Sequence, residues 1–307
     1  MIAPKPLQPN DLVWLVSPAG VIDSALVEGA ANTLMNWGLK VKTGVSATAI
    51  YGRFAGETEA RLHDLQVALD DPECSAIFCT RGGYGSIQLV DKLSLEGFGK
   101  HPKWLIGFSD ITLLHCLLQI NGYASIHGGM AKRLAQGDVT GLFPTEQQPL
   151  VLLRQLLSGE RPPLTLPAHP LNRAGHAVGQ LRGGNLSMLL SLRGTPLDNI
   201  PAGSLLFLED VGEKPYAIDR MMHNLKFGGV LARLGGLMVG QFSGYEEDPL
   251  MHKTVYELIA DTVADYTYPV CFDLPVGHTD RNIPLLCGQP VTLSVDETGA
   301  YMQYLTE

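Results

Sequence analysis

The chain has 307 residues, 45% hydrophobic and 17% charged, which is enough apolar material for one large or two ordinary domains and too much for a disordered chain. Its formal net charge of −9 and pI near 5.5 argue against a nucleic-acid partner and against an anionic membrane surface, since both demand a basic patch. The first twenty residues lack a basic segment followed by a long apolar one, and no apolar run reaches membrane-spanning length, so the expected location is the cytoplasm. Five cysteines (Cys74, Cys79, Cys116, Cys271 and Cys287) form an odd set without CxxC spacing, which fits reduced thiols better than a zinc site or a disulfide framework.

Residues 12–16 (LVWLV) form a short apolar run closed by Ser17-Pro18-Ala19-Gly20. A helical pattern from Asp23 to Trp37 ends at Gly38, and a β-like run, LKVKTGV, follows. Residues 57–69 place Ala60, Leu62, Leu65, Ala68 and Leu69 near one face of a helix. SAIFCT then reads as a buried strand, RGGYG as a loop and SIQLVDKL as a helix, and WLIGFSD with the run after it repeats the scheme. Strands alternating with helices predict a parallel, flavodoxin- or Rossmann-like sheet covered on both faces, with ligands at the carboxyl ends of its strands. Segment 159–170 (GERPPLTLPAHP) contains four prolines and reads as linker. The remainder, with SLLFLEDV, GGLMVGQF and QPVTLSV, has more β character. The expected fold class is therefore α/β: an N-terminal parallel-sheet domain over 1–158, a linker over 159–178, and a smaller, mixed α/β, β-rich domain over 179–307.

Trp104 to Leu114, WLIGFSDITLL, is the most informative stretch. An apolar strand runs through Gly107 to Ser109 and into a helix-like run, and a serine at such a turn stands where hydrolases place a nucleophile. The helix N-terminus there offers unpaired N–H groups and a partial positive charge. The same serine can simply cap the helix through the N–H of Thr112 or its neighbour. Arg81-Gly82-Gly83-Tyr84-Gly85 follows a buried strand and reads either as an oxyanion cradle or as a tight turn; it is neither a Walker A loop nor GxGxxG.

A serine nucleophile needs a base and a group that orients the base. His115 lies on the helix leading away from the turn and reads as packing or surface; His127, in SIHGGM, reads as a pocket or core residue. His278 sits in the loop DLPVGHTDRN, better placed for chemistry. Glu209 and Asp210 end the apolar run SLLFLED, where a carboxylate is costly unless paired or solvated. Ser109, Glu209 and His278 follow the nucleophile–acid–base order of α/β-hydrolases, yet GFSDI lacks the second glycine of GxSxG, so that fold is not assigned.

RFAGETEARLHDL, RGGYG, GFSDIT, the LRGGNLSMLLSLRGTP segment, FLEDVGEKPYAIDRMM and PVGHTDRNIPLLCG occur in this order, and together they resemble the LD-carboxypeptidases, or muramoyltetrapeptide carboxypeptidases, over nearly the whole chain. The resemblance implies two α/β domains with the active site in the groove between them. It gives the nucleophile role to Ser109, the acid role to Glu209 and the base role to His278. The oxyanion would be held by the N–H of Asp110 and one from the glycine loop, Gly83 being chosen and Gly82 remaining open. No metal or cofactor is implied. The substrate would be a murein tetrapeptide, cut at the L,D-bond before its terminal D-alanine during cell-wall peptide recycling. Arg81 and Arg220 are the arginines that would meet the D-alanine carboxylate, and the family implies a homodimer. Three rivals stand beside this reading. One is a self-immunity serine peptidase of the same fold that cleaves a peptidyl-nucleotide antibiotic. The others are a glutaminase-like hydrolase using Cys116, which lies seven positions past the turn, and a two-lobed binding module without catalysis.

Overall fold

In chain order the strands are β1 (Leu12–Val16), β2 (Lys40–Thr43), β3 (Cys74–Cys79), β4 (Trp104–Gly107), β5 (Ser125–His127), β6 (Leu164–Pro167), β7 (Gly175–Asn185), β8 (Leu205–Val211), β9 (Gly236–Ser243), β10 (Val270–Cys271), β11 (Leu285–Cys287), β12 (Pro290–Asp296) and β13 (Gly299–Tyr304). The computed structural model describes residues 1–138, 147–198 and 200–305. The chain divides into two compact units, Met1–Glu160 with Ile283–Leu286, and Arg161–Asn282 with Cys287–Glu307.

The first unit is built on a six-stranded sheet of order β11-β5-β4-β3-β1-β2, in which β1 to β5 run parallel. Its helices are α1 (Ser24–Asn36), α2 (Thr58–Asp70), α3 (Glu96–Lys100), α4 (Thr112–Ile120), α5 (Ala131–Gln136) and α6 (Pro149–Leu157). A parallel strand covered on both faces buries every side chain, and β4 does so from Trp104 to Gly107, which is why its sequence is an unbroken apolar run. The order β2-β1-β3-β4-β5 is that of flavodoxin-like sheets, whose chain reverses direction between β1 and β3. The loops leaving these two strands are tied together at that reversal. The buried hydroxyls of Ser17 and Thr80 share a hydrogen bond, and the Gly20 N–H donates to the Gly82 carbonyl at 2.9 Å.

Two readings of this unit change. The helix expected over SIQLVDKL is only a 3-10 turn at Ser86–Gln88, and the next helix, α3, begins at Glu96. The Ser86 N–H goes to Asp110 and the Gln88 side chain accepts from Arg61, so the segment is pinned before a helical ladder can propagate. In α2 the buried stripe is Arg61, Asp64, Leu65, Ala68 and Leu69, whereas Ala60 is exposed and Leu62 half-buried. The i, i+3, i+4, i+7, i+8 spacing holds, but it starts on an arginine.

The second unit carries a seven-stranded sheet of order β10-β9-β8-β7-β12-β13-β6 and the helices α7 (Leu186–Ser191), α8 (Pro215–Phe227) and α9 (Val255–Thr262). β7 to β10 are parallel neighbours, while β12 lies antiparallel to β7 and β13, and β13 antiparallel to β6. Six consecutive residues of β8 are buried, as a central parallel strand requires, whereas β12 alternates half-buried and buried residues, as an antiparallel strand with one wet face requires.

The boundaries also differ from the sequence reading. Residues 164–167, inside the expected linker, form β6 at the edge of this sheet, and β7 already begins at Gly175. Proline cannot donate to a ladder, so Pro167 is tolerated there because an edge strand needs bonds on only one side. Ile283–Leu286, expected in the C-terminal domain, belong to the first unit, where β11 lies beside β5.

Candidate active site

Ser109 occupies the turn between β4 and α4 with φ of 64°, a left-handed conformation uncommon for a non-glycine residue and typically costing about 1 kcal/mol. Phe108 before it is extended, and Ser109–Ile111 form a 3-10 turn that feeds α4. The turn is made possible by Gly107. A β-carbon there would lie 2.9 Å from Ile111 Cγ2 and 3.1 Å from Cys79 Cβ, so Ile111 closes over a position that only glycine leaves open. A sharp serine turn thus forms without the second glycine of GxSxG. The Thr112 N–H donates to the carbonyls of Ser109 and Asp110, and the residues that precede the 3-10 turn and α4, Phe108 and Ile111, are both apolar.

The glycine loop after β3 lies against this serine. A β-carbon on Gly82 would sit 2.9 Å from Ser109 Cβ, 3.1 Å from its Oγ and 3.2 Å from the Asp110 N, an approach that only glycine allows. The Gly82 carbonyl is held by the Gly20 N–H, and no peptide bond among the described residues is cis. In a trans peptide the next N–H points opposite to the carbonyl, so the Gly83 N–H is directed away from Gly20. Gly83 itself has φ of 95°.

In the second unit, Glu209 and Asp210 are adjacent buried residues of β8 with different tasks. Asp210 accepts from Asn185 Nδ2, the Ser187 N–H and the Ser187 hydroxyl, and so secures the start of α7. Glu209 is fully buried and its Oε2 accepts from His278 Nδ1 at 2.8 Å. Burial pushes the Glu209 carboxyl above its ordinary range, and the imidazole beside it pulls in the other direction. Gly277 lets the loop come this close: its φ is 136°, and a β-carbon would stand 3.2 Å from Glu209 Oε2. With Nδ1–H donating to the carboxylate, the tautomer leaves Nε2 as the basic nitrogen.

Residues 13–128 match the LD-carboxypeptidase N-terminal domain and residues 178–293 the LD-carboxypeptidase C-terminal domain. The sequence is 32% identical over 306 residues to the probable murein peptide carboxypeptidase of Bacillus subtilis, covering 98% of this chain and 94% of the relative. This chain belongs to the LD-carboxypeptidase family. It is also 34% identical to the murein tetrapeptide carboxypeptidase of Pseudomonas aeruginosa over 90% of this chain and 91% of that one. The crystal structure of muramoyltetrapeptide carboxypeptidase from Oxalobacter formigenes superposes with a TM-score of 0.84 at 26% identity, covering 96% of this chain and 99% of the other. Membership makes the chain a serine-type carboxypeptidase, an enzyme rather than a binding module.

The other residues considered take definite places in this LD-carboxypeptidase. Arg81 is exposed and donates to the Val21 carbonyl. With Val21, Ile22, Asp23, Ser24, Thr48 and Ile50 it lines an open cleft of about 410 Å³ beside the β1/β3 reversal. Arg220 is exposed on α8, its guanidinium 5.7 Å from the Tyr216 ring centre. Cys116 is in the body of α4, and all five cysteines are free thiols. Among the described residues, no cluster of three or more His, Cys, Asp or Glu side chains is placed to hold a metal, and no helix is long and apolar enough to cross a membrane. His127 is buried at the end of β5, 5.7 Å from the Phe108 ring.

His115 packs behind the serine turn as a core residue. Its Nε2 donates to the Gly107 carbonyl at 2.9 Å, which makes Nδ1 the acceptor for the Ser125 hydroxyl, also at 2.9 Å. Burial pushes its pKa down from 6.5 to about 4. Between those values the unfolded chain binds a proton that the native one refuses, so stability is lost as pH falls from 6.5 through 4, by about 3 kcal/mol in all. Denaturant titrations at pH 7 and pH 4 should show this loss in the wild type and a shallower one in His115→Gln; equal losses would acquit His115.

Proposed function

We propose that Ser109, Glu209 and His278 form a catalytic triad that releases the terminal D-alanine from murein tetrapeptides by cleaving an L,D-peptide bond. The observation that carries this reading is the 2.8 Å hydrogen bond from His278 to the fully buried Glu209, because a charged acid under a loop histidine has no packing purpose that an apolar residue would not serve better. His278 takes the proton from the Ser109 hydroxyl while Glu209 stabilises the imidazolium. Ser109 Oγ attacks the carbonyl of the L-centre. The oxyanion is received by the N–H groups of Asp110 and Gly83, each such donor typically lowering the barrier by about 3 kcal/mol. His278 returns its proton to the leaving D-alanine amine, and water then hydrolyses the acyl-enzyme by the same proton route in reverse.

Arg81 adjoins Gly82, which abuts Ser109, and one of its N–H groups already serves Val21; the others face the carboxylate of the departing D-alanine in this reading. Arg220 is the less favoured of the two arginines, since its guanidinium stacks on Tyr216. Arg81→Ala should raise KM about tenfold with little change in kcat, the loss of one charge-assisted contact; an unchanged KM would remove Arg81 from the substrate site. The enzyme is assigned to the cytoplasm, as a homodimer acting on imported peptides in cell-wall recycling. The direct test offers a murein tetrapeptide ending in D-alanine and measures free D-alanine, beside a peptidyl-nucleotide substrate. D-alanine release supports the reading; cleavage of the nucleotide conjugate alone would move the enzyme to an immunity role.

A further inference from the structure

The loop that approaches Ser109 is held from below by buried charge. Arg61, on the first turn of α2, is 1% exposed, and its five N–H donors all find oxygens without a full charge. Nη1 donates to the carbonyls of Pro18 at 2.7 Å and Gly85 at 3.2 Å, Nε to the carbonyl of Gly56 at 3.3 Å, and Nη2 to Gln88 Oε1 at 2.6 Å and Thr58 Oγ1 at 3.2 Å. Three of these acceptors are main-chain carbonyls from three separate segments: the loop after β1, the turn before α2, and the glycine loop itself. The Phe54 ring lies 4.9 Å from the guanidinium carbon. No carboxylate is among the five acceptors, so the countercharge acts through space, and Asp110 is its largest source. Asp110 is also 1% exposed, and its Oδ2 accepts the N–H of Ser86, the residue after Gly85, at 2.8 Å. A continuous path therefore runs from the serine turn through Asp110, Ser86 and Gly85 to Arg61. Gly85 is fitted to it: a β-carbon there would stand 2.6 Å from Arg61 Nη1.

Burying both ions carries a large desolvation cost, and well-packed apolar side chains in their place are often at least as stable. Apolar side chains cannot, however, gather three carbonyls at one point or grip a loop N–H. We propose that Arg61 and the Asp110 side chain are positioning residues that clamp the glycine loop onto the Ser109 turn and so set the spacing of the N–H groups that receive the oxyanion. The proposal rests on Ser109 being the nucleophile. It goes beyond the Asp110 backbone N–H, because it gives the side chain a separate task.

The test compares wild type, Arg61→Lys, which keeps the charge without the planar fork, and Asp110→Asn, which keeps the shape without the charge. Each is checked for its thermal midpoint. The readouts are the second-order rate of fluorophosphonate labelling at Ser109, and kcat and KM for D-alanine release. Misplacing preorganised donors should lower the labelling rate and kcat together, by about 10- to 100-fold, with KM within about twofold of wild type. Either variant, folded and labelled at the wild-type rate, overturns the clamp, as does a loss confined to KM. Wild-type protein that resists labelling at Ser109 overturns instead the serine reading on which the clamp depends.

Discussion

Replacing Ser109 by alanine should reduce D-alanine release on the order of 10⁵-fold with KM little changed. In the proposed mechanism no acyl-enzyme forms without Oγ, and what survives is the rate that oxyanion donors and substrate positioning give to attack by water. The stability of this variant is as informative as its activity. Ser109 sits at φ 64°, where alanine is strained about as much as serine, so unfolding free energy should stay within about 1 kcal/mol of wild type. Ser109→Gly should be equally inactive and slightly more stable, because glycine adopts that conformation without a steric penalty. A purely structural serine would show the opposite pattern, a loss of stability with activity kept. D-alanine quantified by chromatography, together with thermal midpoints, separates the two.

Glu209→Gln should lower kcat by about 10³- to 10⁴-fold while leaving the protein as stable as before. The amide fits the same buried space, and its N–H₂ can donate to His278 Nδ1. That places the imidazole proton on Nε2, the tautomer that cannot accept a proton from serine. Stability is expected to hold because the change removes a carboxylate whose burial is unfavourable to its charge. A kcat within tenfold of wild type would mean that Glu209 does not govern the tautomer of the base.

What the sequence disclosed follows from how local each feature is. Strands covered on both faces appear as unbroken apolar runs, so β1, β3, β4 and β8 were legible, and α1 was bracketed by its Asp23 cap and Gly38. The proline-rich stretch hid β6 because an edge strand tolerates prolines that elsewhere signal a linker. β11 is three residues long, and nothing in LLC says which sheet it will join; that pairing is fixed only by distant β5. Arg61 is not legible from hydrophobic periodicity because two charged residues, Arg61 and Asp64, head the buried stripe; their spacing to Leu65, Ala68 and Leu69 is the signal. FLED offers two adjacent carboxylates at the end of an apolar strand without saying which holds which role. The family motif points to Glu209, and Glu209 is the carboxylate that is hydrogen-bonded to His278.

The most direct measurement is to react the enzyme with a fluorophosphonate, locate the adduct by tandem mass spectrometry, and follow residual D-alanine release from murein tetrapeptide in the same samples. One adduct per chain on Ser109, with release lost in proportion to labelling, is the expected result. Release undiminished with Ser109 fully occupied, or lost through an adduct on another residue, would contradict the assignment of Ser109 as the nucleophile.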